Sequence, residues 1–151
     1  MSLKKTNVYD GATAIVTGGA SGIGLAIARE LAGMGCEVVI ADIQGDLARK
    51  AAAEINRGSR KVAAVKVDVT DHRAVEGLVR DTVKRTGRLD FMFNNAGIAI
   101  GGDASQYTIK DWNSIIDINL YGVINGIQAA YPQMIRQGSG HIINTDRKSV
   151  V

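Results

Sequence analysis

Thr17-Gly18-Gly19-Ala20-Ser21-Gly22-Ile23-Gly24 is the stretch on which the reading of this chain turns. The five residues Thr13–Thr17 (TAIVT) are rich in β-branched side chains and read as a strand. Gly22 to Met34 reads as a helix, with Ile23, Ile27 and Leu31 along one stripe. Glycines placed between a strand and a helix let the chain turn tightly and let its backbone approach a pyrophosphate closely. The helix beyond presents free N–H groups and the positive end of its dipole to the anion. The spacing is Gly-x-x-x-Gly-x-Gly, not the Gly-x-Gly-x-x-Gly of the commoner dinucleotide fingerprint.

The same alternation continues on the carboxyl side. Glu37–Asp42 reads as a second strand, entered through a turn at Gly35, and Asp46 to Asn56 as a second helix, with Gly58 placed to stop it. Lys61 to Val69 alternates, is rich in valine and is expected to be a third strand. Asp71 is placed to cap a helix carrying Val75, Leu78, Val79 and Val83, which Gly87 ends. A fourth strand begins near Asp90 and includes Phe91 to Phe93, Lys110 to Gln137 is helical, and His141 to Thr145 is a fifth strand. This rhythm predicts βαβ units and a mainly parallel, doubly wound α/β sheet with right-handed crossovers. No fixed-period repeat, low-complexity tract or linker interrupts it, so residues 1–145 are read as one domain.

Composition narrows the function classes. The chain has 151 residues, 46% of them hydrophobic and 22% charged, with a formal net charge of +3. That balance suits one core with a charged surface. Cys36 is the only cysteine, so no disulfide scaffold is possible within the chain, and it is expected to be a small buried hydrophobe. His72 and His141 are expected at the surface or at a strand end, and no Cys/His cluster has metal-ligand spacing. The basic run from Arg57 to Lys61 is broken by Gly58 and Ser59, which argues against a nucleic-acid partner. No apolar run approaches the ~18 residues of a membrane span. Met1 to Asp10 carries no hydrophobic stretch of a signal peptide, so the expected compartment is the cytoplasm.

The turn resembles the Thr-Gly-x-x-x-Gly-x-Gly signature of the short-chain dehydrogenase/reductase family, and four further features fall in that family's order. Asp42 ends the second strand eighteen residues after Gly24, Asp68-Val69 ends the third, Asn94-Asn95-Ala96-Gly97 ends the fourth, and Asn119 lies in the helical segment. The resemblance covers Ala12 to Thr145 and implies a Rossmann-type fold with strand order 3-2-1-4-5-6-7, of which this chain reaches the fifth strand. It implies cofactor contacts at Gly18, Ser21, Gly22, Ile23, Gly24, Asp42, Ile43, Asp68, Val69, Asn95, Ala96 and Gly97. Asp68 also has the simpler reading of a turn cap before Asp71. Asn94 is expected to tie adjacent strands through its amide.

The carboxylate of Asp42 favours NAD over NADP, because it would bond a free 2′-hydroxyl and repel a 2′-phosphate. Ser21 and Ile43 stand where NADP-preferring relatives often carry basic residues. Asn119 is the one catalytic-site residue the resemblance assigns, its carbonyl holding a water in a proton relay. The helix that carries it is too long for an ordinary globular helix, so a break is expected around Asn119 to Gly122, and a kink at Pro132. Trp112, Ile115, Ile116, Leu120 and Ile124 keep helical spacing and are expected in the core or, as the resemblance implies, between subunits of a homo-oligomer.

The family's acid-base residues are Ser, Tyr and Lys, the last two as Tyr-x-x-x-Lys. Tyr9, Tyr107, Tyr121 and Tyr131 are followed four residues later by Thr13, Asp111, Asn125 and Ile135, and Asp146-Arg147 stands where the Ser is expected. Asp146 to Val151 also matches the translation of a widely used sequencing-library adapter. Residues 146–151 are therefore expected to be a non-native tail, and the chain an incomplete domain; the coding DNA tests this. On that expectation the fifth strand is left as an exposed, aggregation-prone edge. Two functions follow. One is an NAD-dependent oxidoreductase of secondary alcohols or ketones, of which this chain is the cofactor-binding part. The other is a non-catalytic dinucleotide-binding or interaction module that ends here. The substrate itself is not legible, although Ile98 to Ser105 is placed to touch one.

Overall fold

The structure is a computed structural model that describes residues 7–57 and 61–146. Its elements are β1 (Thr13–Thr17), α1 (Gly22–Gly33), β2 (Glu37–Asp42), α2 (Gly45–Asn56), β3 (Val62–Lys66), α3 (His72–Thr86) and β4 (Phe91–Asn94). A 3-10 turn (Ala104–Gln106), α4 (Ile109–Ile116), a π-helical turn (Asp117–Tyr121), α5 (Gly122–Gln137) and β5 (His141–Asn144) follow. All strand pairs are parallel, and the five-stranded sheet runs β3-β2-β1-β4-β5. This is the Rossmann-type α/β architecture expected, with its first five strands in the family's order.

Every residue of β1 is buried, as a central parallel strand covered on both faces requires. Side chains alternate between two cores. Ala14, Val16, Val38, Ile40 and Val62 pack with Ala28, Leu31 and Ala32 of α1 and Ala48, Ala51, Ala52 and Ile55 of α2. Ile15, Val39, Ala41, Leu89 and Met92 pack on the other face with Val75, Leu78 and Val79 of α3 and Ala130 and Met134 of α5. Cys36 is buried in the first core, as expected. Burial, aided by the charges of Asp90 and Glu37, pushes its thiol up to about 12, so it stays neutral.

Local signals account for most element ends. The Asp71 side chain accepts from Arg73 N and Ala74 N at 3.0 and 3.2 Å, and Gly87 ends α3 in the left-handed region at φ 83°. Gly58, expected to stop α2, lies outside the described residues. The connection from α2 to β3 is closed instead by Asn56, whose amide brackets Val62: Nδ2 donates to Val62 O at 2.8 Å and Oδ1 accepts from Val62 N at 2.9 Å. His72 is half exposed beside Glu76, and His141 is exposed at the start of β5, its ring stacked on Phe91 at 5.6 Å.

Three expectations need correction. First, β3 stops at Lys66, not Val69. Its partner β2 ends at Asp42, which is in register with Lys66, so after Val67 N bonds Asp42 O at 3.0 Å no strand remains to pair with. Second, the long helix does not break at Asn119 to Gly122. It passes through a π turn in which Gly122 N–H bonds Asp117 O, and the flanking residues Ile116, Asp117, Tyr121 and Gly122 all keep right-handed helical dihedrals. Past Pro132, α5 continues to Gln137. Third, of the two places expected for the stripe from Trp112 to Ile124, the core is excluded and the subunit interface stays open. Trp112, Ile116, Leu120 and Ile124 are exposed, and α4 buries no residue. β5 forms one edge of the sheet.

Candidate functional site

The carboxyl ends of β1, β2 and β4 and the segment after β3 converge on a cleft of about 250 Å³. Open α/β sheets bind ligands at this end, where β1 connects outward in both directions. Its lining includes Gly18, Ser21, Gly22 and Ile23 of the turn, Asp42 and Ile43 after β2, and Asp68 and Val69 after β3. Asn95, Ala96 and Gly97 complete it from β4. Of the expected cofactor-binding residues only Gly24 is absent from the lining; it lies just beneath, buried.

The turn is held from three directions. The Thr17 hydroxyl donates to Phe93 O at 3.2 Å and accepts from Asn95 N and Ala96 N at 3.0 and 3.1 Å, fastening β1 to the end of β4. Asn95 Nδ2 donates to Thr17 O at 3.1 Å and Gly18 O at 3.4 Å, so its amide braces the turn. Ala20 N donates to Asp42 Oδ2 at 3.1 Å. A Cβ on Gly18 would stand 2.8 Å from Ala96 Cα, and one on Gly24 would stand 2.3 Å from Gly18 O; both positions need glycine for close backbone approach. Gly22 is different. Its φ of +53° favours glycine, and a Cβ there meets nothing within 4 Å, leaving space over the first turn of α1. The N–H groups of that turn have no intrahelical acceptor, and it holds no acidic residue to occupy them.

Asp42 is buried, 8% exposed, and each of its oxygens already accepts one backbone N–H, Ala20 on Oδ2 and Gln44 on Oδ1 at 2.9 Å. An ionised carboxylate has lone pairs beyond these two, so it can still accept from a ribose diol. Asp68 is exposed, and its Oδ1 accepts from Thr70 N at 2.9 Å and Thr70 Oγ1 at 2.8 Å. It therefore makes the turn before Asp71 and lines the cleft as well. Val69 is buried against Gly122, and Asn125 Nδ2 holds its carbonyl at 2.9 Å. The exposed Ile23 and Ile43 give the cleft apolar walls.

Asn94 links β4 to β5, its Nδ2 donating to Asn144 Oδ1 at 2.9 Å, which is the tie expected of it. Asn119 sits on the π turn, and its side chain is occupied: Oδ1 accepts from Ile98 N and Nδ2 donates to Ile98 O, both at 2.9 Å. Its amide is thus a positioning device for the segment after Gly97. Gln44, Val67, Ile98 and Ile118 also line the cleft. Only Ile98 was singled out from sequence, as a substrate contact. Ile118 adjoins Asn119, and Thr17 opens the glycine motif; those adjacencies were the available signals.

The residues of the cleft fit a dinucleotide: a braced glycine turn with space above it, helix N–H groups without an intrahelical acceptor for a pyrophosphate, and a buried carboxylate beside it. Among the described residues, no group of three or more His, Cys, Asp or Glu side chains could hold a metal ion. Among them also, no helix is long and apolar enough to cross a membrane.

Comparison with known proteins agrees with this geometry. The sequence profile of the short chain dehydrogenase family matches residues 12–149. The chain is 35% identical over 138 residues to 2,5-dichloro-2,5-cyclohexadiene-1,4-diol dehydrogenase LinX of Sphingobium indicum, covering 91% of this chain and 55% of that protein. It is 38% identical over 131 residues to an uncharacterized oxidoreductase of Staphylococcus aureus strain MW2, covering 87% and 56%. A short chain dehydrogenase/reductase of Burkholderia phymatum, solved in complex with NAD, superposes with a TM-score of 0.87 at 30% identity, over 90% of this chain and 49% of that one. The chain thus spans about half the length of the relatives it matches. With the turn, the sheet order and the family profile all in agreement, the chain belongs to the short chain dehydrogenase family of oxidoreductases.

Proposed function

We propose that this chain binds NAD in the cleft, and that the protein it represents transfers hydride between NAD and a secondary alcohol or ketone. The observation that carries the cofactor choice is Asp42, a buried carboxylate fixed by two backbone N–H groups at the edge of the phosphate turn. In this reading the pyrophosphate lies over Gly22 and the first turn of α1, where helix dipole and free N–H groups favour an anion. Asp42 accepts from the adenosine ribose, and Ile43, Asp68 and Val69 border the adenine. Ala96 and Gly97 leave room for the second ribose, with Ile23, Ile98 and Ile118 as apolar walls that exclude water from the nicotinamide half.

When bound, the nicotinamide supplies hydride transfer; the chain's own part is to hold and orient it. Proton transfer at the substrate oxygen needs an acid-base group. The family resemblance assigns that work to Ser, Tyr and Lys, with the carbonyl of Asn119 contributing to the relay, and the Tyr-x-x-x-Lys pattern does not occur in these 151 residues. The chain is therefore expected to bind cofactor without turnover.

Calorimetric titration tests the cofactor choice. The chain is expected to bind NAD more tightly than NADP, and Asp42→Ala to weaken NAD about 10-fold or more, the worth of charge-assisted hydrogen bonds to the ribose. Unchanged NAD affinity in Asp42→Ala defeats the assignment.

We also propose that α4 and α5 pair with a second copy of the chain. Ile109, Trp112, Ile116, Leu120 and Ile124 form an exposed apolar stripe along these helices, more than a free surface usually leaves open. Light scattering is expected to show a dimer or larger assembly that Ile116→Lys reduces to a monomer. A wild-type chain that is monomeric at every concentration contradicts this.

A further inference from the structure

We infer that Tyr107 is a positioning residue for the nicotinamide half of the cleft, holding the segment from Ile98 to Gly102 as a fixed strap; this rests on the NAD reading above. After Asn94 the chain leaves the sheet, and beyond Gly97 side chains hold its backbone. It is held at two points. The Asn119 amide brackets both backbone groups of Ile98 at 2.9 Å, and the Tyr107 hydroxyl donates to Ile100 O.

Both clamps come from one helical body. Asn119 lies on the π turn that continues α4, and Tyr107 immediately precedes Thr108, the N-cap of α4. Thr108 and Asp111 form a reciprocal capping box, in which the Thr108 hydroxyl and N–H hold the Asp111 carboxyl below the usual carboxylate range. Tyr107 is itself fixed on two sides. Its N–H bonds Ala104 O at 3.2 Å, and its ring tilts against Trp112 with centroids 5.4 Å apart.

Ile98, the strap's cleft-lining residue, follows β4, whereas Asp42 and Asp68 follow β2 and β3 on the other side of β1 in the sheet order. Loosening the strap should therefore act on one half of the dinucleotide only. Removing the Tyr107 hydroxyl loses one hydrogen bond to Ile100 and leaves the ring in place against Trp112.

The experiment is calorimetric titration of the wild-type chain and Tyr107→Phe with NAD and, separately, with ADP, which carries the adenosine and pyrophosphate alone. Amide hydrogen exchange over Ile98 to Gly102 is read alongside. The expected result is about five-fold weaker NAD binding, unchanged ADP binding, and faster exchange in the strap. Equal NAD affinity in the two proteins, or unchanged exchange in the strap, overturns the inference alone. Parallel weakening of NAD and ADP also overturns it, because a general loss of structure would do the same. A wild-type chain that binds neither ligand overturns the NAD reading and this role with it.

Discussion

Gly24→Ala is expected to melt well below the wild-type chain and to show no measurable NAD binding. The added Cβ would stand 2.3 Å from Gly18 O and 2.6 Å from Asn95 Nδ2. Neither atom can yield cheaply. Gly18 O belongs to a turn clamped to β4 by the Thr17 hydroxyl, and Asn95 Nδ2 is the donor that braces Thr17 O and Gly18 O. Relieving the clash therefore means opening the turn and breaking those bonds. Overpacking of this kind costs about 1–3 kcal/mol, and the lost bonds add about 1 kcal/mol each. Gly22→Ala is the control. Its Cβ meets no protein atom within 4 Å, so the penalty is that of a left-handed alanine at φ +53°, about 1–2 kcal/mol. It lines the cleft, however, so its methyl takes space assigned to the pyrophosphate. Gly22→Ala should thus lose binding with a modest fall in Tm, and Gly24→Ala should lose both. Circular-dichroism melts and calorimetry read the two effects separately, and a Gly24→Ala chain with native Tm contradicts the close approach of α1 to β1.

What could be read from the sequence was what short-range chemistry decides. The turn between β1 and α1, the Asp71 cap and the Gly87 stop each depend on residues within a few positions, and each was legible. The sheet order was legible only through the resemblance to the short-chain dehydrogenase/reductase family, because no local chemistry fixes which strands lie side by side. The end of β3 was not legible, because its length is set by where its partner β2 stops at Asp42, while Val67 and Val69 keep the valine-rich pattern regardless. The π turn was misread as a break, since an extra residue in a helix and an interrupted helix leave the same disturbance in the apolar spacing. The Asn119 amide reaches across twenty-one positions to Ile98, and the Tyr107 hydroxyl across seven to Ile100. Neither contact carries a periodic or compositional signal. The α4 stripe illustrates the opposite limit: helical spacing identifies an apolar face, and only the fold shows that nothing in this chain's described residues covers it.

At the other end of the sheet, Asp90→Ala is expected to destabilise the chain by about 3 kcal/mol without weakening NAD binding by the folded molecules. Asp90 is 7% exposed, and its Oδ2 accepts from Thr13 N at 2.9 Å and from Arg88 Nε at 2.7 Å, while Oδ1 accepts from Arg88 Nη2 at 2.5 Å. Its backbone joins the same knot, N donating to Thr13 O at 2.9 Å and O accepting from His141 N at 2.8 Å, so one residue aligns β1, β4 and β5 at their starts. The hydrogen bond and charge of Asp90 raise Arg88 above the ordinary guanidinium value. The two partners are not equal. The Arg88 side chain is 51% exposed and can return to water, so its share is screened and small. Thr13 is 1% exposed, and its N–H would be left buried without an acceptor, a loss of about 1–3 kcal/mol to which the vacated volume adds. For a chain of this size that corresponds to a fall in Tm of about 10 °C. Asp90→Asn separates the contributions, because an amide oxygen can still accept from Thr13 N while the charge is gone. It should therefore recover most of the stability, and 1 M salt should leave most of the alanine variant's deficit in place. Urea melts of the three proteins at low and high salt measure this. Equal losses for Asn and Ala, or a deficit erased by salt, would place the stabilisation in the exposed ion pair and not in the buried bond to Thr13.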